Sequence, residues 1–388
     1  MKYMGSKRWM LGNGLGHLLD QVAPECERFV DLFAGSAAVT TFVATRHEVP
    51  VHCCDLQTYS KYLASAIIER TKPLPDEPAW SEWKRQATQV WRTSQSSPTV
   101  DRLTKQCVQD ARTWCAARRT WPLTRAYGGH YFSPKQGIWL DSFRKTIPTA
   151  PAYRKVALAA LINAAAYCAA APGHTAQPFQ PTRTAKPFLK DYWSREVPRY
   201  VERIFKSLCA QHAKKAGVAM VGDANDVAKE LRAGDLVFID PPYSAVHYSR
   251  FYHVLESVAT GYDDAVTGSG RYPREGVRPK SAFSTVSGSG NALDVLLAAI
   301  ADKRADAIVT FPNHQCSNGL SGQSVSDIAR KYFHVERRVV SSRFSSLGGT
   351  SGASSVGSER AARLSAIELI LQLRATRPSR RSQRTAKQ

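Results

Sequence analysis

Short apolar runs rich in β-branched residues alternate along this chain with stretches of helical period. The runs around Phe29, Val49–Cys54, Val218–Val221, Leu236–Ile239 and Asp306–Phe311 are too short for helices and do not alternate with polar positions, which predicts buried strands of an open α/β sheet. Residues 7–20 predict an amphipathic helix weakened by three glycines, and residues 227–231 and 251–259 predict two further helices. Val335–Ser341 and Ser365–Leu373 predict two late strands that pair as a hairpin beside the sheet, while residues 262–292 predict loop. Residues 75–215 interrupt the strand–helix rhythm. They hold Trp80, Trp83, Trp91, Trp114 and Trp121 and show helical periodicity around 101–118 and 151–171, which predicts an inserted helical subdomain with the tryptophans in its core.

The ends of the predicted strands carry the candidate chemistry, because ligands of open α/β sheets bind beyond the carboxyl ends of the strands. Leu236–Ile239 runs straight into Asp240-Pro241-Pro242-Tyr243. The two prolines stop the strand and remove two backbone donors. A carboxylate, a rigid carbonyl-rich turn and an aromatic face together suit a flat heterocycle with an exocyclic amine. Asp240 and the Pro241 carbonyl can accept from the NH2 group and Tyr243 can stack on the ring, although Tyr243 could equally be packing. Asp31-Leu32-Phe33-Ala34-Gly35-Ser36 forms a nucleotide-type strand-to-helix turn in which Gly35 lets a ligand approach the backbone. The last glycines of the dinucleotide fingerprint are absent, Ala37 and Ala38 standing in that stretch, and no phosphate-binding Gly-x-x-x-x-Gly-Lys sequence occurs nearby. Asp55 closes the next run about 20 residues past this turn, where a ribose-diol acceptor or a helix cap belongs. Gly222-Asp223-Ala224 ends another run, where a carboxylate and an amide can read an adenine edge, with Asp226 as a candidate helix cap.

Charge changes this picture. Fifty-three Lys and Arg against 32 Asp and Glu give a net +21, which favours a polyanionic partner. Much of the excess is spread along the chain, and Arg374–Gln388 adds six basic residues with no acid, predicting a disordered basic tail that meets phosphates without reading bases. Within the insertion, Arg125, Tyr127, His130 and Lys135 lie in a stretch of glycines, aromatics and basic side chains that suits a loop pressed against DNA. Eight cysteines lack any Cys-x-x-Cys spacing, so neither a metal nor a disulfide framework is expected. No 18-residue apolar stretch and no secretory leader are evident, which predicts a cytoplasmic protein without a membrane partner.

Taken in order, Tyr3-Met4-Gly5-Ser6-Lys7, Asp31–Ser36, Asp55, Gly222-Asp223-Ala224 and Asp240–Tyr243 resemble the Dam-like class of adenine-specific DNA methyltransferases. Gly128–Arg144, Tyr248–His253 and the late Ser-Leu-Gly-Gly at 346–349 also look like segments of that class; Ala37 departs from its usual Phe-x-Gly-x-Gly. The resemblance implies a Rossmann-like S-adenosylmethionine-dependent methyltransferase sheet, made of residues 1–74 and 216–373. It also implies a mainly helical target-recognition, DNA-binding domain inserted at 75–215, followed by the basic tail at 374–388. It implies S-adenosylmethionine held by Tyr3, Lys7, Phe33, Gly35, Asp55, Asp223 and Ala224, with Lys7 at the methionine carboxylate. Asp240, the Pro241 carbonyl and Tyr243 would hold an adenine flipped from double-stranded DNA. The class admits a cognate restriction endonuclease as a partner. Two alternatives stay open from the residues: an RNA or protein acceptor on the same fold, or a DNA-binding relative without catalysis.

Overall fold

The computed structural model of this protein describes residues 7–94, 97, 98, 100, 102–342 and 366–375. Tyr3, the Ser-Leu-Gly-Gly segment and the basic tail beyond Ala375 lie outside the described residues.

Seven runs become strands: β1 (Arg28–Asp31), β2 (Val51–Asp55), β3 (Val218–Val221), β4 (Asp235–Ile239), β5 (Asp306–Pro312), β6 (Phe333–Ser342) and β7 (Ala366–Ala375). Among the described residues they form one sheet in the order β3-β2-β1-β4-β5-β7-β6. The first five are parallel, and β7 runs antiparallel to both β5 and β6. Order reverses between β1 and β4, and such a switch point opens a crevice at the carboxyl edge. Every residue of β4 is buried, which accounts for an apolar run without alternation.

Successive side chains of a strand face opposite ways, so each strand feeds two cores. Phe29, Val51, Cys53 and Phe238 join one that continues into residues 77–210, through Trp80, Trp83, Phe143, Ile162 and Phe205. Val30, Val237, Ile239, Val309 and Leu371 join the other, under helices Ser289–Asp302 and Gly322–Arg330. The region 77–210 is helical throughout its regular elements. At its centre lies helix Pro151–Cys168, alanine-rich and buried nearly all round, packed between helix Thr58–Ile68 of the sheet layer and helix Val197–Ala210. Trp80, Trp83 and Trp121 are core side chains, whereas Trp91 is half-buried and stacks on Trp139 with ring centroids 5.0 Å apart.

Several expectations are corrected. The helix expected over 7–20 is two, Arg8–Gly12 and Leu15–Val22, because Gly14 takes φ +107° between them. The loop expected over 262–292 contains a two-residue hairpin, Val266–Thr267 with Tyr272–Pro273, and the start of helix Ser289–Asp302. Asp223 rather than Asp226 caps the short helix Ala224–Val227, accepting from Asn225 N–H at 2.8 Å, and exposed Asp226 pairs with Lys229. All eight cysteines are free thiols.

Candidate active site

The carboxyl ends of β1, β2, β3 and β4 surround a cleft that opens to solvent at its mouth. Lys7, Phe33, Gly35, Asp55, Asp223, Ala224, Asp240, Pro241 and Tyr243 all line it, so nine of the positions singled out in sequence meet in one place.

Asp240 follows the last residue of β4, and the two prolines turn the chain across the cleft mouth. The Pro242 carbonyl is pinned by Asn318 Nδ2 at 2.8 Å, and the same amide donates to the Phe283 carbonyl at 3.0 Å. Asp240 Oδ1 accepts from Lys7 Nζ at 2.9 Å and from Thr310 Oγ1 at 2.9 Å. Among the described residues no donor reaches Asp240 Oδ2 or the Pro241 carbonyl. Two acceptors are thus available side by side next to the Tyr243 ring, whose edge-on neighbour is Tyr248 at 6.3 Å. Burial lifts the Asp240 carboxyl above its ordinary range, with Lys7 drawing it back in part and Glu368 adding to the rise. Burial also pushes the Tyr243 phenol up to about 12, so the ring stays neutral at physiological pH.

Lys7, which the resemblance places at a methionine carboxylate, has its ammonium between two carboxylates of its own chain. It lies 2.9 Å from Asp240 and 3.0 Å from Glu368 of β7. Burial disfavours the ammonium, but the two anions outweigh that and hold it above the usual lysine range. Its place is at the acceptor end of the cleft, and only its remaining N–H could reach a cofactor.

The other end is built from carboxylates under backbone. Asp31 is buried and accepts from Phe33 N–H at 3.2 Å and Thr40 Oγ1 at 2.6 Å, which locks the turn that presents Phe33 and Gly35; burial raises its carboxyl to about 7. Asp55 accepts from Gly35 N–H at 2.9 Å and Gln57 N–H at 3.0 Å. It therefore clamps the Gly35 turn to the start of the next helix and keeps lone pairs for a ligand, since an ionised carboxylate has about four acceptor sites. Phe33 meets Phe283 edge-on at 5.1 Å. Ala37, the residue that replaces a glycine of the usual pattern, adopts φ +57° at the start of helix Ala38–Arg46. A left-handed alanine costs roughly 1–2 kcal/mol, but its methyl is buried and worth about 0.8 kcal/mol. Ala37→Gly should therefore change stability by no more than about 1 kcal/mol once glycine's own entropy cost of roughly 0.5–1 kcal/mol is included, which urea unfolding would check.

The four residues expected to meet DNA do not share one environment. Tyr127 is a correction: its side chain has no exposure, its hydroxyl lies 2.7 Å from Ser257 Oγ, and its ring packs against Tyr131 and His253. Arg125 is half-buried and paired with Asp263 at 2.5 Å. The His130 ring is half-buried and held neutral, brought down to about 3 by burial and by Arg112 and Arg271. Lys135 is exposed, in the first turn of helix Pro134–Lys145. The adjacent glycines serve close packing, because a Cβ on Gly128 would lie 2.6 Å from Cys115 Sγ and one on Gly129 2.7 Å from Arg112. Further along, buried Asp141 accepts from the Leu123 and Thr124 N–H groups, and Arg144 donates to the Val258 and Ala259 carbonyls. The stretch 121–144 is thus the joint between the insertion and helix His253–Thr260. Sequence reasoning missed Thr310, Asn318 and Glu368, which reach Asp240, Pro242 and Lys7 from 70 or more positions away and carry no local signature.

Among the described residues no group of His, Cys, Asp and Glu could hold a metal ion, and no helix is long and apolar enough to cross a membrane. The chain is 22% identical over 309 residues to the modification methylase LlaI of Lactococcus lactis subsp. lactis, covering 75% of this chain and 43% of that protein. It thus spans less than half the length of that relative. It also aligns with the solved rRNA methyltransferase aviRa from Streptomyces viridochromogenes, at 10% identity over 92% of this chain and 82% of that one, with a TM-score of 0.28, too low to carry an argument. A family model for D12 class N6 adenine-specific DNA methyltransferases matches residues 3–112 and 130–274. Those residues include both ends of the cleft, from the Lys7 turn to Asp240 and the segment behind it, so the chain belongs to the D12 class of N6 adenine-specific DNA methyltransferases.

Proposed function

We propose that the protein methylates the N6 amine of an adenine turned out of double-stranded DNA, using S-adenosylmethionine. The observation that carries this is a pair of acceptors, Asp240 Oδ2 and the Pro241 carbonyl, that no donor among the described residues engages, beside a neutral tyrosine ring at the end of a rigid strand. An adenine amine has two N–H groups and a lone pair delocalised into the ring. Two fixed acceptors drawing on those N–H bonds push the nitrogen toward tetrahedral geometry and return its lone pair for attack. The residues do this by positioning and charge, with no covalent enzyme intermediate.

The donor set at the other end fits S-adenosylmethionine. A half-buried carboxylate at Asp55 suits a ribose diol, Asp223 and the Ala224 amide suit an adenine edge, and Phe33 and Gly35 leave room for the methionine arm. When bound, that cofactor would supply an electrophilic methyl group. The net charge of +21 supports a polyanionic substrate, with exposed Lys135 and the basic tail as phosphate contacts and a restriction endonuclease as a partner of the same pathway class. We assign residues 75–215 to target recognition and the rest of the described chain to catalysis.

Incubation with labelled S-adenosylmethionine and plasmid DNA, RNA or total protein tests the reading. Label is expected in DNA, recovered as N6-methyladenine. Label only in RNA or protein overturns the choice of substrate, and DNA binding without any transfer overturns the enzymatic reading.

Asp55 provides a pH test with a definite sign. Burial holds its carboxyl at about 6, above the ordinary value, so it is ionised at pH 7.5 and protonated at pH 5. A diol needs the ionised acceptor, and cofactor affinity should therefore fall as pH drops through 6, by up to about tenfold per unit. Asp55→Asn should bind at least about tenfold more weakly at pH 7.5, the equivalent of roughly 1.5–3 kcal/mol for bonds to a charged group, and should lose the pH dependence. Calorimetry at three pH values would read both effects.

A further inference from the structure

Glu368 is a buried carboxylate that neither the sheet nor the turn chemistry demands. It lies in β7, opposite Pro312 of β5 and Val340 of β6, between strand neighbours Ile367 and Leu369. It is 8% exposed, and among the described residues it accepts from Lys7 Nζ at 3.0 Å. Burying a carboxylate is costly, and an apolar residue would suit this strand better if packing were the only requirement. What the charge does is alter a neighbour. Lys7 alone against Asp240 would form a closed ion pair with most of the anion's charge spent on the ammonium. With Glu368 present, one cation is divided between two anions, while Thr310 holds the same Asp240 oxygen that Lys7 holds.

We propose that Glu368 is a positioning residue for methyl transfer: by sharing the Lys7 ammonium it lets Asp240 Oδ1 stay anchored while Oδ2 keeps the charge that draws on the target amine. The inference rests on the reading of Asp240 as the acceptor for that amine. In the transfer, the nitrogen lone pair forms the new N–CH3 bond, and the electrons of the broken bond stay on the methyl group's former carrier. The nitrogen becomes cationic and must shed one proton, for which Asp240 Oδ2 is the base at hand, passing it on to solvent. A carboxylate neutralised by its own lysine would do this poorly. The rise that Glu368 imposes on the Asp240 carboxyl is in the direction that makes it the better base.

Glu368→Gln keeps shape and one acceptor for Lys7 while deleting the charge. In ligand-free protein labelled with 13C-aspartate, the Asp240 carboxyl, assigned by its loss in Asp240→Asn, should titrate at lower pH in Glu368→Gln, because a neighbouring anion has gone. The single-turnover transfer rate at saturating cofactor and DNA should fall roughly tenfold, about 1.4 kcal/mol of transition-state stabilisation, with both affinities held within about threefold. Glu368→Asp should recover part of the rate. An unchanged Asp240 titration and an unchanged rate overturn the proposal and leave Glu368 a structural residue. A loss of cofactor affinity in proportion to the rate overturns it too, by placing Glu368 in the methyl donor's site. Should Glu368→Gln fail to fold, Thr310→Val gives a second reading, since releasing Oδ1 from its hydroxyl should also slow transfer without weakening cofactor. A wild-type protein that methylates no adenine overturns the functional reading first, and that failure is visible before any substitution is made.

Discussion

Asp240→Ala should abolish methyl transfer while cofactor affinity stays within a few-fold of wild type. The carboxylate supplies one of the two acceptors beside Tyr243 and sits at the opposite end of the cleft from Asp55 and Asp223. Removing a group that stabilises charge developing in a transition state costs about 10²–10³ in rate, and here the base that removes the amine proton goes with it. The loss should therefore be at the upper end of that range or beyond. The alanine variant also empties the space the side chain fills, while Lys7 keeps Glu368 as its partner at 3.0 Å. Asp240→Asn separates the two effects, because it retains the shape and loses the charge. Single-turnover transfer to plasmid DNA, with calorimetry of cofactor binding alongside, reads the outcome. Substantial turnover in Asp240→Asn would remove this residue from the chemistry.

The second large effect concerns a residue whose sequence neighbourhood suggests a DNA contact. Tyr127→Ala should destabilise the protein by about 3–5 kcal/mol, the range for truncating a buried aromatic. Tyr127→Phe should cost only about 1–2 kcal/mol, the loss of one buried hydroxyl bond to Ser257. Urea unfolding of both variants measures this. If Tyr127→Ala unfolds at the wild-type midpoint and instead loses discrimination between DNA sites, the ring is a base reader and its burial in the joint is not its state on DNA.

Sequence and structure agree most closely where the signal is local. Each of the five parallel strands is an apolar run, and the cleft residues are the ones that close or follow such runs, because a strand's end fixes where the next residue points. The late hairpin was legible for the same reason. What could not be read locally falls into two kinds. Direction is one: glycine, aromatic and basic residues at 125–136 have the composition of a DNA-facing loop, yet Gly128 and Gly129 exist to let Cys115 and Arg112 approach, and Tyr127 and Tyr131 face inward. Distance is the other: Lys7 and Glu368 are separated by 361 positions, and nothing near either residue announces the other. Ala37 belongs to neither kind. Its sequence position marks a departure from the expected glycine, and the structure puts that departure on a left-handed backbone that alanine can still adopt.

The hydrophobic interior that runs unbroken from Phe29 and Phe238 through helix Pro151–Cys168 to Trp80 and Phe205 has a consequence for how such an enzyme could change its target sequence. A recognition module joined to its host by a flexible linker can be exchanged whole between relatives by recombination. Here a transplant would carry one half of a shared core into a host shaped for another half, leaving cavities or clashes along helix Thr58–Ile68 and helix His253–Thr260. If residues 75–215 read the target as proposed, new specificity is reached more cheaply by replacing surface side chains one at a time than by swapping the insertion, and chimaeras made at residues 75 and 215 should come out insoluble unless both facing helices travel with the insert.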